Sequence, residues 1–144
     1  MKVVAFIPAR MGSTRFPGKP LALLLGKPMI EHVYKRTAMA KRVESVYIAT
    51  CDEEIKQAAE TFGATVVMTS DLHQRASDRI AEAVEKVGRD ADVIVMVQGD
   101  EPMVEPQLID DLIVAAQASD ADMVTPVIQI KDEATLSSAT TVKV

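Results

Sequence analysis

Short apolar runs and helical apolar stripes alternate along this 144-residue chain, and that alternation constrains the fold more than any other feature. Residues 3–7 form an unbroken apolar run, the pattern of a strand buried on both faces. Ile30, Val33, Thr37 and Ala38 recur at helical spacing and predict an amphipathic helix over 28–41. Residues 46–50 read as the second strand. Asp52 follows as an N-cap, Ile55, Ala58, Ala59 and Phe62 form the next stripe, and Gly63 supplies the stop. Residues 65–68 read as a third strand, after which Ser77 is expected to cap a helix burying Ile80, Ala83, Val84 and Val87 and ending at Gly88. Residues 93–97 are the most apolar run and are expected at the centre of the sheet. Pro106 suits the first turn of a helix expected to bury Leu108, Leu112 and Ala115. Residues 123–130 read as a fifth strand, with Pro126 marking an edge or a bulge. The pattern predicts an α/β fold with parallel strands joined by crossover helices. Every strand-to-helix loop then falls at the carboxyl edge of the sheet, where such folds bind ligands.

Composition removes several alternatives. An apolar content of 48% with a net charge of −5 can supply a core, which excludes intrinsic disorder. The lone Cys51 excludes a disulfide scaffold and suits a reducing compartment. No apolar run approaches the ~20 residues a membrane span needs. The apolar start is too short for a signal peptide and is interrupted by Pro8 and Arg10. A cytoplasmic globular domain is expected. The charge is unevenly placed: residues 1–30 carry Lys2, Arg10, Arg15, Lys19 and Lys27 and no acid. The remaining residues hold 11 Lys and Arg against 21 acids. One basic segment on an acidic chain points to a local anionic ligand. Nucleic acid is not expected as a partner, because three Phe and two Tyr scarcely furnish stacking platforms.

That basic segment is the loop Pro8-Ala9-Arg10-Met11-Gly12-Ser13-Thr14-Arg15-Phe16-Pro17-Gly18-Lys19-Pro20, thirteen residues long. Ordinary connections of this kind take about 2–6 residues. Gly12 and Gly18 admit close approach of a ligand, and Ser13 and Thr14 offer hydroxyl and amide donors. Arg10 and Arg15 can fork onto phosphate oxygens and Lys19 adds a point charge. The inventory suits a triphosphate. It is not a Walker A loop, since five residues separate its glycines and Pro20 follows Lys19, and the G-x-G-x-x-G pattern is also absent. Gln98-Gly99-Asp100-Glu101-Pro102 follows the run at 93–97. A carboxylate there can hold Mg²⁺, which binds through one or two carboxylates plus substrate phosphates. Phosphate chemistry needs both signs of charge on one edge. Neither a Ser-His-Asp set nor a paired-cysteine site is evident, and His32 and His73 read as structural or solvated.

Together these segments resemble the CMP-Kdo synthetase family, the 3-deoxy-manno-octulosonate cytidylyltransferases. The resemblance is carried by Ile7-Pro8-Ala9-Arg10, Gly12-Ser13-Thr14-Arg15, Pro17-Gly18-Lys19-Pro20-Leu21, Gly26-Lys27-Pro28-Met29-Ile30, His32-Val33-Tyr34, Val67-Met68-Thr69-Ser70 and Val97-Gln98-Gly99-Asp100-Glu101-Pro102. It implies a three-layer α/β/α, Rossmann-like sheet of the nucleotide-diphospho-sugar transferase type. Residues 1–144 would form one nucleotide-binding domain, the N-terminal portion of a longer family domain. Arg10, Ser13, Arg15 and Lys19 would hold the CTP phosphates, and Asp100 would be a Mg²⁺ ligand. Gln98 would touch the ligand near the sugar, and Ser77, Asp78 and Arg79 match the segment lining the cytidine pocket.

The chain departs from the family in reading Arg75-Ala76-Ser77-Asp78-Arg79 where Ser-Gly-Thr-Asp-Arg is usual. Ala76 forbids a positive φ that glycine would allow, and Arg75 adds bulk and charge. Cys51 stands where an Asp is usual, before Asp52. Family members also continue beyond residue 144, and the further part supplies a second metal-binding Asp, most of the sugar pocket and much of the dimer contact.

The implied reaction joins CTP and an acidic sugar: the anomeric hydroxyl of a 3-deoxy-ulosonic acid attacks the α-phosphorus and expels pyrophosphate, making a lipopolysaccharide precursor. Lys19, Arg10 and Asp100 with its metal would stabilise the charge. Two alternatives stand beside it: a CTP-binding module without turnover, and a transferase for another acid sugar such as sialic or pseudaminic acid. A homodimer is expected where the full family architecture is present.

Overall fold

The computed structural model describes residues 1–12 and 15–142. The chain runs through β1 (Val3–Pro8), a 3₁₀ turn (Lys19–Leu21) and a small antiparallel hairpin of β2 (Leu23–Leu24) and β3 (Lys27–Pro28). It continues through α1 (Met29–Ala38), β4 (Ser45–Thr50), α2 (Glu53–Thr61), β5 (Thr65–Met68), α3 (Ala76–Val87), β6 (Val93–Met96), α4 (Pro106–Gln117) and α5 (Glu133–Ser137). The main sheet has the order β5-β4-β1-β6, and every pairing in it is parallel.

The unbroken apolar run of β1 is explained by its two neighbours and two faces. Val3 and Ile7 point into one core with Ile30 and Val33 of α1, Ile55 and Ala59 of α2, and Ile109 and Ile113 of α4. Val4 and Phe6 point the other way and pack on Ile80 and Ala83 of α3. Phe6 also stacks on Tyr47, with ring centroids 5.5 Å apart. Three helices cover one face and α3 the other, giving the three layers that alternating elements predict.

Several expectations need correction. Residues 93–97 do not lie at the centre: β6 is an edge strand among the described residues, and Ile94 and Met96 are exposed. Apolar content reports the faces of a strand, whereas β1 and β4 are central because each finds a partner on both sides. Residues 123–130 form no strand; the segment has no regular structure and is largely exposed, with Ile128 88% accessible. Pro126 cannot donate to a ladder, and no strand of the described residues lies alongside.

The helix boundaries also shift. Ser77 is not the cap of α3; Arg75 occupies that position in extended conformation, and Ser77 is exposed in the first turn. Val87 at the end of the same helix is exposed. Asp52 stands at the N-cap of α2, but its side chain makes no cap hydrogen bond because it reaches into the basic loop, as described below. Ala38 is exposed, and Ala40 beyond the helix is buried instead. In α4 the buried positions are Ile109, Asp110 and Ile113, while Leu108 and Ala115 are exposed and Leu112 is half-buried. Apolar residues surround that helix, so periodicity leaves its rotation open. Asp110 sets it by accepting hydrogen bonds from the backbone of Lys41 (3.0 Å) and Arg42 (2.8 Å).

Candidate functional site

The basic loop keeps a defined path because its backbone is tied at several points. Ala9 N–H donates to Ala49 O at 3.0 Å, continuing the β1–β4 pairing beyond the strand. Met11 N–H then donates to the Asp52 carboxylate at 2.7 Å, and Met11 O accepts from Gly18 N–H at 3.0 Å. Gly18 has φ 72°, a left-handed conformation that an L side chain resists. From there the chain enters the 3₁₀ turn, in which Leu21 N–H donates to Gly18 O and Pro20 is buried. Lys19 is thereby fixed on the turn.

The acidic turn is brought to meet it by a close backbone contact. Val97 N–H donates to Phe6 O, so the chain follows β1 past the end of β6. A Cβ on Gly99 would lie 2.5 Å from Pro8 O. Only glycine permits that approach, and it carries Asp100 to the basic loop, where Lys19 Nζ lies 2.8 Å from Asp100 Oδ2. Both side chains are partly open to solvent, at 39% and 52%. Such a pair contributes at most about 1 kcal/mol, so an incoming anion or cation can separate it at little cost.

These segments enclose a cavity of about 300 Å³. Its lining combines Arg10, Gly12 and Lys19 of the basic loop, Gln98, Gly99 and Asp100 of the acidic turn, and a wall of residues 73–76. Arg10, Lys19, Gln98 and Asp100 are therefore brought together as the motifs require. Arg15 is exposed and does not line the cavity, and Ser13 lies outside the described residues. Ser77 and Asp78 are exposed and outside the lining. Arg79 is 3% exposed and faces inward: its guanidinium donates to Thr69 Oγ1 at 2.5 Å and to Ser70 O at 3.3 Å.

His73 and Gln74 were not expected from the sequence as cavity lining, nor was the tie from Asp52 to Met11, whereas Arg75 and Ala76 belong to the segment that the resemblance matches to the cytidine pocket. The signal for the wall was positional, since residues 69–75 follow β5 on the same sheet edge. His73 is not free there: its Nε2 lies 2.5 Å from Glu82 Oε2. Glu82 also accepts from Ser70 N–H at 2.9 Å and pairs with Lys86 at 2.6 Å. Lys86, the Ser70 amide and His73, in that order, hold its carboxyl well below the usual range, at about 2. His32 is structural, its Nε2 lying 2.7 Å from Leu24 O in the hairpin.

No group of three His, Cys, Asp or Glu side chains forms a ready-made metal cage among the described residues. Asp100 is the carboxylate of the cavity lining. A single carboxylate beside cationic side chains can hold Mg²⁺ only where oxygens of a bound anion complete the shell.

Comparison with known proteins bears on the family and the fold. A 3-deoxy-manno-octulosonate cytidylyltransferase of Geobacter metallireducens is 54% identical over 113 residues, which cover 78% of this chain and 44% of that protein. An 8-amino-3,8-dideoxy-manno-octulosonate cytidylyltransferase of Shewanella pealeana is 47% identical over 147 residues, covering all of this chain and 60% of that protein. The solved structure of a CMP:2-keto-3-deoxy-manno-octonic acid synthetase complexed with CTP superposes with a TM-score of 0.80 at 42% identity, over 84% of this chain and 49% of that one. The fold alone extends to 4-diphosphocytidyl-2C-methyl-D-erythritol synthase, with a TM-score of 0.64 at 18% identity. The chain thus spans about half the length of the relatives it matches. Residues 4–144 match the cytidylyltransferase family, and with this sheet, this basic loop and this acidic turn the chain belongs to that family and is CMP-Kdo synthetase-like.

Proposed function

We propose that the cavity binds CTP and that the chain transfers CMP to a 3-deoxy-octulosonate sugar, with release of pyrophosphate. The observation that carries this reading is the Lys19–Asp100 pair, 2.8 Å apart in a cavity that Arg10 and Gln98 also line. In the reaction, an anomeric hydroxyl oxygen bonds to the α-phosphorus, the bond from that phosphorus to the bridging oxygen breaks, and the hydroxyl proton passes to solvent. Lys19 and Arg10 offset the charge that grows on phosphate oxygens. Gly12 leaves backbone room beside them. Asp100, once Lys19 turns to phosphate, is free to hold Mg²⁺, which would neutralise the phosphate chain and draw charge from the breaking bond.

The acceptor follows the relatives' names, which divide between 3-deoxy-manno-octulosonate and its 8-amino-3,8-dideoxy counterpart. Pyrophosphate release from CTP and Mg²⁺, measured with each acceptor in turn and with sialic and pseudaminic acids, tests the assignment. Turnover with an octulosonate is expected, and faster turnover of another acid sugar would overturn the acceptor. A second reading, a module that binds CTP without turnover, is favoured by the cavity's having one lining carboxylate among the described residues. CTP binding with no pyrophosphate from any acceptor would select it.

A further inference from the structure

The proposed CTP site leaves one wall without a role, and the following inference rests on that reading. With the phosphate end of the nucleotide placed at Arg10, Lys19 and Asp100, the lining left for the nucleoside end includes residues 73–76. The side chains of that wall differ in what they can offer. His73 is engaged through Nε2 with Glu82. Gln74 carries both a donor and an acceptor and can turn either toward a base. Ala76 has no polar side chain. Arg75 lines the same cavity, and its guanidinium has no hydrogen-bond or ion-pair partner among the described residues.

Arg75 is also held in place. Two residues before it, His73 is fastened to Glu82, and four residues after it, Arg79 is buried against Thr69 and Ser70. Its backbone is extended, at φ −104° and ψ 147°, as it enters α3. The side chain therefore starts from a fixed point on the cavity wall.

We propose that Arg75 is the base-reading residue of this site, donating to the acceptor edge of cytosine. A guanidinium presents five N–H donors in a planar fork and no acceptor, and it does not lose its charge. Cytosine offers two adjacent acceptors, O2 and N3, which suit that fork. Uracil carries an N–H at position 3, so the same approach sets donor against donor. Arg75 thereby favours CTP over UTP without touching the phosphates.

Calorimetric titration of the chain with CTP, UTP and inorganic tripolyphosphate, at one Mg²⁺ concentration, tests this. Arg75→Ala should weaken CTP binding about tenfold, the scale of a lost bidentate base contact, and leave UTP and tripolyphosphate nearly unchanged. Arg75→Lys keeps the charge without the fork and should lose the same preference, with circular dichroism confirming that both variants fold. An unchanged CTP-to-UTP ratio would overturn the proposal, as would an equal loss for all three ligands, which would make Arg75 a phosphate contact. Failure of the unaltered chain to bind CTP would instead overturn the proposed function, and this inference with it.

Discussion

Gly99 illustrates how much of the site depends on one missing atom. Its Cα sits so close to the β1 end that a Cβ would fall 2.5 Å from Pro8 O. Because the clashing atom is backbone, no rotamer change relieves it, and Gly99→Ala must part the carboxyl ends of β1 and β6. Overpacking of this kind costs about 1–3 kcal/mol. For a chain of this size that lowers the melting temperature by roughly 2–12 °C, and the same displacement should loosen the Lys19–Asp100 contact. Thermal unfolding by circular dichroism checks the first expectation, and a melting temperature equal to that of the unaltered chain would contradict it. The sequence marks Gly99 only as part of a turn, because the reason for glycine lies in a residue 91 positions earlier. Lys19, Arg10 and Asp100 were legible for the opposite reason: charges of both signs on loops at one sheet edge need no tertiary detail to be noticed. Arg79 was legible only as part of a segment that the resemblance matches to a pocket, and its burial against Thr69 depends on the docking of α3.

At the scale of elements, α3 and the segment before it form one fastened unit. Glu82 accepts from the Ser70 amide, meets His73 and pairs with Lys86, whose Nζ also donates to Met68 O at 2.8 Å. These partners bind the carboxylate and not the acid, so the folded chain holds the Glu82 proton less tightly than the unfolded chain does. The stabilisation is full above the ordinary carboxyl value of 4.5 and is lost as pH falls through about 2. Acid titration of stability, followed by denaturant unfolding at successive pH values, should therefore show a loss between those limits. Glu82→Gln keeps an oxygen for the Ser70 amide but does not titrate, and should flatten that part of the curve. An identical pH dependence in the variant would place the acid sensitivity elsewhere. The stripe Ile80, Ala83 and Val84 announced α3, but its start at Ala76 was hidden. A serine is a common cap, and what fixes the first turn here is the buried Arg79, a long-range contact outside any local pattern.

For the whole molecule, alternation of strand and helix was enough to fix the layers, because each buried run must be covered and each stripe must cover something. It did not fix strand order. Among the described residues, 93–97 are apolar enough for a central strand yet lie at an edge, and 123–130 have the composition of a strand but pair with no other strand. Pairing is a property of two segments, and a single segment's pattern cannot report it. The charge pattern did carry to the whole. Of the five cations in residues 1–30, Arg10 and Lys19 come, once folded, to line a cavity in a chain of net charge −5. Attraction for a triphosphate is then a local effect working against the charge of the whole protein, and salt should reveal the balance. CTP affinity measured without Mg²⁺ is expected to fall as ionic strength rises. Lys19→Ala should lower it roughly tenfold or more, the scale of a charged hydrogen bond, because it removes a cation and also leaves Asp100 unpaired toward the phosphates. Asp100→Asn should not weaken metal-free binding, since it removes the group that competes for Lys19, but it should abolish any gain from adding Mg²⁺. Should Asp100→Asn weaken metal-free binding as much as Lys19→Ala does, the carboxylate is a support for the fold and not a metal ligand.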